Sequence, residues 1–156
     1  MIQHLVFLEW LHILGAAILF GTGLGIAFNF WLALRGAHVT LIAAAARATV
    51  IADFVFTLPA VVLQPVTGVL LAIGAGYPLA SPWIVYSTIL YLAAGACWVP
   101  VVFLQIRMRD IAVRCVKDSS ALPPEFHRLA RRWFLLGWPA FLAVMAILWL
   151  MVARPS

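Results

Sequence analysis

The sequence predicts an all-α protein: a polytopic four-helix transmembrane bundle with both termini on the outer, periplasmic side of a bacterial inner membrane. Three observations carry that expectation. Of the 156 residues, 66% are hydrophobic and only 10% charged, and the mean hydropathy of +1.11 lies far outside the soluble range. Four apolar runs, about residues 5–34, 48–76, 83–106 and 130–152, are each long enough to cross ~30 Å of hydrocarbon. Arg35, Arg47, Arg107, Arg109, Arg114, Lys117, Arg128, Arg131 and Arg132 fall in or beside two of the connections, and Arg154 alone falls on the other side. That asymmetry makes the basic side cytoplasmic. The net charge of +5 is therefore a topology signal and excludes nucleic acid as a partner. Residues 1–156 form one membrane domain, with no length left for a soluble catalytic unit.

The first run lacks a basic leading segment and an A-x-A cleavage site, so it is read as a retained helix. It carries Gly15, Gly21, Gly23 and Gly25, and the Gly21/Gly25 pair has the spacing that lets a neighbouring backbone approach closely. The second run contains Pro59 and Pro65, the third Pro100 and the fourth Pro139. Each proline deprives the carbonyl four residues back of its donor, freeing Val55, Val61, Ala96 and Leu135 for partners inside the bundle. "GYPLASP" is a short outer turn. Residues 107–129 read as a cytoplasmic loop, ended by "LPPEFHRLARRWF", where prolines and Glu125 mark a helix start. Trp10, Trp83 and Trp149 belong to an outer aromatic belt and Trp31 and Trp133 to an inner one, while Trp98 and Trp138 lie deeper. Cys97 in a span and Cys115 in the loop form no disulfide framework.

With alternating helix directions, the polar residues sort into two layers. The outer one centres on "EWLHILGAAILF", where Glu9 and His12 are one turn apart, with Gln64, Thr67, Tyr86, Tyr91 and Met145 at similar depth. A histidine within the membrane must be hydrogen-bonded or bound to something, and imidazole is a common ligand of metals and haem iron. One reading makes His12 a metal or haem ligand, with Glu9 beside it, Gly15 and Ala16 leaving room for a flat cofactor, and Met145 as the best second ligand. The other makes His12 a clip between helices, bonded to Glu9, Gln64 or a tyrosine. His4 lies ~12 Å along the helix from His12, too far to share an ion. The inner layer centres on Asp53, for which Arg107, Arg131 and Arg132 are the expected ion-pair partners. The same arginines would alternatively hold an anionic headgroup, a quinone or a propionate.

"ADFVFTLPAVVLQPVTG" (52–68), "LYLAAGACWVPVVFLQIRMRD" (90–110) and "RRWFLLGWPAFLAVMAILWLMVARP" (131–155) resemble the bacterial family of predicted integral membrane proteins called domain of unknown function 2269. The resemblance implies a four-helix inner-membrane protein and supplies no reaction. More distantly, "LHILGAAILFGTGL" is similar to the first helix of HemJ-type protoporphyrinogen oxidases and CopD-like proteins, with His12 and Gly15 in the matching positions. That similarity implies haem b at His12. Two departures stand against the oxidase activity: the third span has no lysine, and Leu19 or Phe20 replaces the first-helix tryptophan. The sequence thus leads to a haem-binding protein with a redox or electron-transfer role and a membrane redox partner. Its alternative is a cofactor-free accessory subunit of a larger membrane complex. Lipid is a partner on either reading, and the glycine spacing is compatible with a homo-oligomer.

Overall fold

The computed structural model describes residues 2–155, and among these the chain is helical with no strand. Four helices are long and apolar enough to span a membrane: α1 (Ile2–Gly36), α2 (Val39–Gly74), α3 (Pro82–Lys117) and α4 (Pro124–Ala153). Each packs against the next in the chain, α1 against α2 and α3 against α4 about equally and more extensively than α2 against α3, while α1 and α4 touch little.

The helices run further than the hydropathy of their spans suggests. α3 has 36 residues, ~54 Å at 1.5 Å per residue, against ~30 Å of hydrocarbon. The expected loop 107–129 is consequently mostly helix, and only residues 118–123 connect α3 to α4. The first connection shrinks to Ala37 and His38, with Ala37 in the left-handed region at φ 54°. Pro123 and Pro124 start α4 as the sequence indicates, with Glu125 in the first turn. Cys115, expected in a loop, is buried in α3, and the helix ends on Lys117.

These extensions hold the apolar core, at the end of the bundle rich in arginine. Ile26, Phe30, Ile42, Ala46, Met108, Ile111, Ala112, Phe126, Leu129 and Trp133 form one buried cluster. Phe30 is 1% exposed and meets Trp133 edge-on at 5.3 Å between centroids. Trp133, expected in the lipid belt, instead belongs to this core. Beyond the hydrocarbon, water supplies a hydrophobic driving force that lipid does not, so the strongest packing collects where the helices leave the apolar phase. Trp31 is exposed, with the Arg35 guanidinium 4.3 Å over its ring.

α2 is not a uniform helix. Asp53–Thr57 form a π-turn two residues before Pro59, and the Leu58 N–H reaches back five residues to the Asp53 carbonyl. Pro59 and Pro65 leave carbonyls without an intrahelical donor. For Pro65 the replacement is clear, since the Tyr91 hydroxyl of α3 donates to the Val61 carbonyl. This is the sequence-predicted orphan, satisfied across the bundle.

Candidate functional site

Far from the basic end, α1 and α2 interlock around His12. The imidazole Nδ1 lies 2.7 Å from Thr67 Oγ1, and the Thr67 hydroxyl is 2.8 Å from the Leu63 carbonyl one turn back. A hydroxyl has one proton. When it goes to Leu63, His12 must donate from Nδ1, which leaves Nε2 as the nitrogen with a free lone pair. Nε2 has no hydrogen-bond partner among the described residues and is not among the sealed, unpartnered atoms. The ring's Nδ1–Cε1 edge faces α2, because a Cβ placed on Gly68 would come within 3.2 Å of Cε1.

Gln64 completes the interlock from the main-chain side, its Nε2 donating to the His12 carbonyl at 2.8 Å. Gln64 reaches that carbonyl only because position 15 has no side chain, as a Cβ on Gly15 would collide with Gln64 Nε2. The space at Gly15 expected for a flat cofactor is thus taken by Gln64. A planar group could meet His12 only from the Nε2 side, not along the Gly15 face.

The remaining expected members of this layer are not assembled around His12. Glu9 is exposed and makes no hydrogen bond or ion pair among the described residues, so Thr67 takes the role anticipated for it. Met145 is 44% exposed. Phe20 stacks on Phe141 at 5.4 Å. From that shared depth His12 lies eight residues further out on α1 and Met145 only four on α4, a mismatch of ~6 Å along the axis. His4 is exposed. Among the described residues no group of three or more His, Cys, Asp or Glu is placed to hold a metal ion.

The basic layer is also rearranged. Asp53 is 4% exposed and has no basic group within ion-pair distance among the described residues. Arg107 is instead paired with Glu125 at 2.5 Å on the surface, and Arg131 and Arg132 are exposed. The carboxyl faces Thr57, Gln105 and Trp98. Similar depth does not bring the arginines to Asp53, because they lie on other faces of their helices. Gly21, Gly23 and Gly25 make no close helix contact, since nothing lies within 4 Å of a Cβ added at any of them.

A family model described as "Predicted integral membrane protein (DUF2269)" matches residues 6–155, and the chain belongs to that family. No curated protein and no solved structure matched.

Proposed function

We propose that this member of the DUF2269 family is a small haem b-binding protein of the bacterial inner membrane with a redox or electron-transfer role, in which His12 would hold the haem iron through Nε2. The observation that carries the reading is the His12–Thr67 contact of 2.7 Å. A ligating histidine ordinarily has its other ring nitrogen hydrogen-bonded, which sets the tautomer and orients the lone pair. Here Thr67 does that from α2, and Gln64 fixes the backbone that carries the ring. When bound, the haem iron would supply one-electron chemistry. The chain's own contribution is to hold one imidazole at a fixed angle in an apolar setting, with Tyr91 and Gln64 stiffening the helix behind it. The arginine asymmetry supports the basic end as cytoplasmic.

An absorption spectrum of detergent-purified protein, expressed with ample haem, tests this directly. A Soret band that shifts with dithionite, disappears in His12→Ala and weakens in Thr67→Val is the expected result, with haem affinity falling ~10- to 100-fold in the latter. A flat spectrum, or full haem content in folded His12→Ala, sinks the assignment.

One observation favours a second reading, an accessory subunit of a larger membrane complex or homo-oligomer. The Gly21/Gly25 face of α1 is open in the single chain, although that spacing suits a close helix partner. On this reading His12, Thr67 and Gln64 are a clip. His12→Ala then lowers thermal stability without altering any spectrum, and co-purification of the partner depends on Gly21 and Gly25.

A further inference from the structure

The geometry points to a binding site for a monovalent alkali-metal cation at Asp53, Thr57 and Gln105, at the π-turn of α2. Asp53 is 4% exposed, Gln105 3% and Thr57 7%, and their side chains face one another between α2 and α3. Asp53 Oδ2, Thr57 Oγ1 and Gln105 Oε1 are sealed from solvent, and although Thr57, Gln105 and Trp98 lie near enough to donate to the carboxyl, none of them reaches it with good hydrogen-bond geometry among the described residues. Thr49, one turn earlier and 3% exposed, has an orphaned Oγ1 as well. Buried polar atoms are rarely left unsatisfied, and four oxygens orphaned in one region of two packed helices indicate a missing occupant.

Three features identify the occupant's chemistry. All the orphaned atoms except Trp98 Nε1 and the remote Trp133 Nε1 are oxygens, the ligands of hard cations, and no histidine or cysteine contributes. Asp53 brings one negative charge, and the arginines that could neutralise it are engaged or exposed elsewhere. A monovalent ion would leave the site neutral, whereas a divalent one would leave an uncompensated positive charge in a region of low polarity. The backbone adds to the supply of oxygens. The π-turn Asp53–Thr57 and the missing N–H of Pro59 leave carbonyls short of donors, and broken helices with such carbonyls are where membrane proteins hold Na+. The indole N–H of Trp98, also unpartnered, is a donor suited to the carboxylate and not to the ion. This site is ~21 Å along α2 from Thr67, and its test requires no haem to be bound.

The test is a Na+ titration of full-length purified protein at pH 8, with choline chloride holding the ionic strength constant, read by thermal unfolding and by equilibrium binding of radioactive Na+. The expected result is saturable binding of about one ion per chain. Melting should rise by roughly 5–10 °C at a hundredfold excess over the dissociation constant. Thr57→Val, which removes one ligand without removing volume, should weaken binding about tenfold, and Thr57→Ser should restore it. Asp53→Asn should abolish the Na+ dependence. Wild-type protein that binds no Na+ and melts alike in Na+ and choline overturns the proposal and leaves the cage to water or a protonated carboxyl. Unchanged Na+ affinity in folded Asp53→Asn overturns it too.

Discussion

Replacing Gly15 by alanine tests the interlock of α1 and α2 at its tightest point. A Cβ there collides with Gln64 Nε2, and because that atom is the tip of a flexible side chain, the chain can swing aside without moving the backbone. The cost is then the Gln64 hydrogen bond to the His12 carbonyl, 2.8 Å long in the native protein. Such a bond contributes about 0.5–1.5 kcal/mol, with membrane double-mutant cycles averaging nearer ~0.6. Against it stands the helix-propensity gain of glycine to alanine, up to ~1 kcal/mol in water. The two nearly cancel, so Gly15→Ala alone is uninformative. Gly21→Ala supplies the reference, since nothing lies within 4 Å of its added Cβ. Gly15→Ala should be less stable than Gly21→Ala by ~1 kcal/mol, or about 2–4 °C in melting temperature. In a Gln64→Ala background that difference should vanish. The assay is thermal unfolding of the four variants and their two parents in one detergent. Equal stability of Gly15→Ala and Gly21→Ala, or a difference that survives removal of Gln64, refutes the reasoning.

Two further outcomes follow from contacts elsewhere in the bundle. Tyr91→Phe removes the donor to the Val61 carbonyl and should cost about 0.5–1.5 kcal/mol. In a Pro65→Ala background, where residue 65 regains an N–H for that carbonyl, it should cost measurably less, as a double-mutant cycle by thermal unfolding will show. Phe30→Ala, at a site 1% exposed and packed on Trp133 and Phe126, should cost ~3–5 kcal/mol by chemical denaturation. Phe28→Ala, at 59% exposure, should change little by comparison.

What the sequence disclosed depended on which periodicity was consulted. Long apolar runs mark hydrocarbon, so the four spans were legible, but a hydropathy window is blind to amphipathic helix outside the membrane. The signal for the α3 extension was present in a different form. Met108, Ile111, Ala112 and Cys115 are spaced i, i+3, i+4 and i+7, and all are buried. Helix face also decides the neighbours of Asp53. Thr49, Asp53 and Thr57 repeat every four residues along one face of α2, and Trp98 and Gln105 are seven apart on α3, so a face-based reading would have brought the polar groups together and left the arginines out. A histidine at position 12 needs a partner, and Glu9, one turn away in sequence, competes for that role with Gln64 on another helix. Thr67 and Gln64, on the opposing helix, are what the fold supplies.

Both polar clusters rest on α2, and its π-turn links them mechanically. A π-turn contains one residue more than an α-turn, so converting Asp53–Thr57 to α-helix would rotate everything beyond it by ~100° relative to the basic end. Thr67 would then leave His12, and Gln64 would leave the His12 carbonyl and the space opened by Gly15. The Tyr91 bond to Val61 would break in the same movement. Three contacts to two neighbouring helices therefore oppose relaxation of the turn, while the apolar core fixes its other end through Ile42, Ala46 and Phe30. The wide turn persists because α2 is clamped on both sides of it, so loosening the His12 clip would remove one of the two restraints that hold the turn at Asp53.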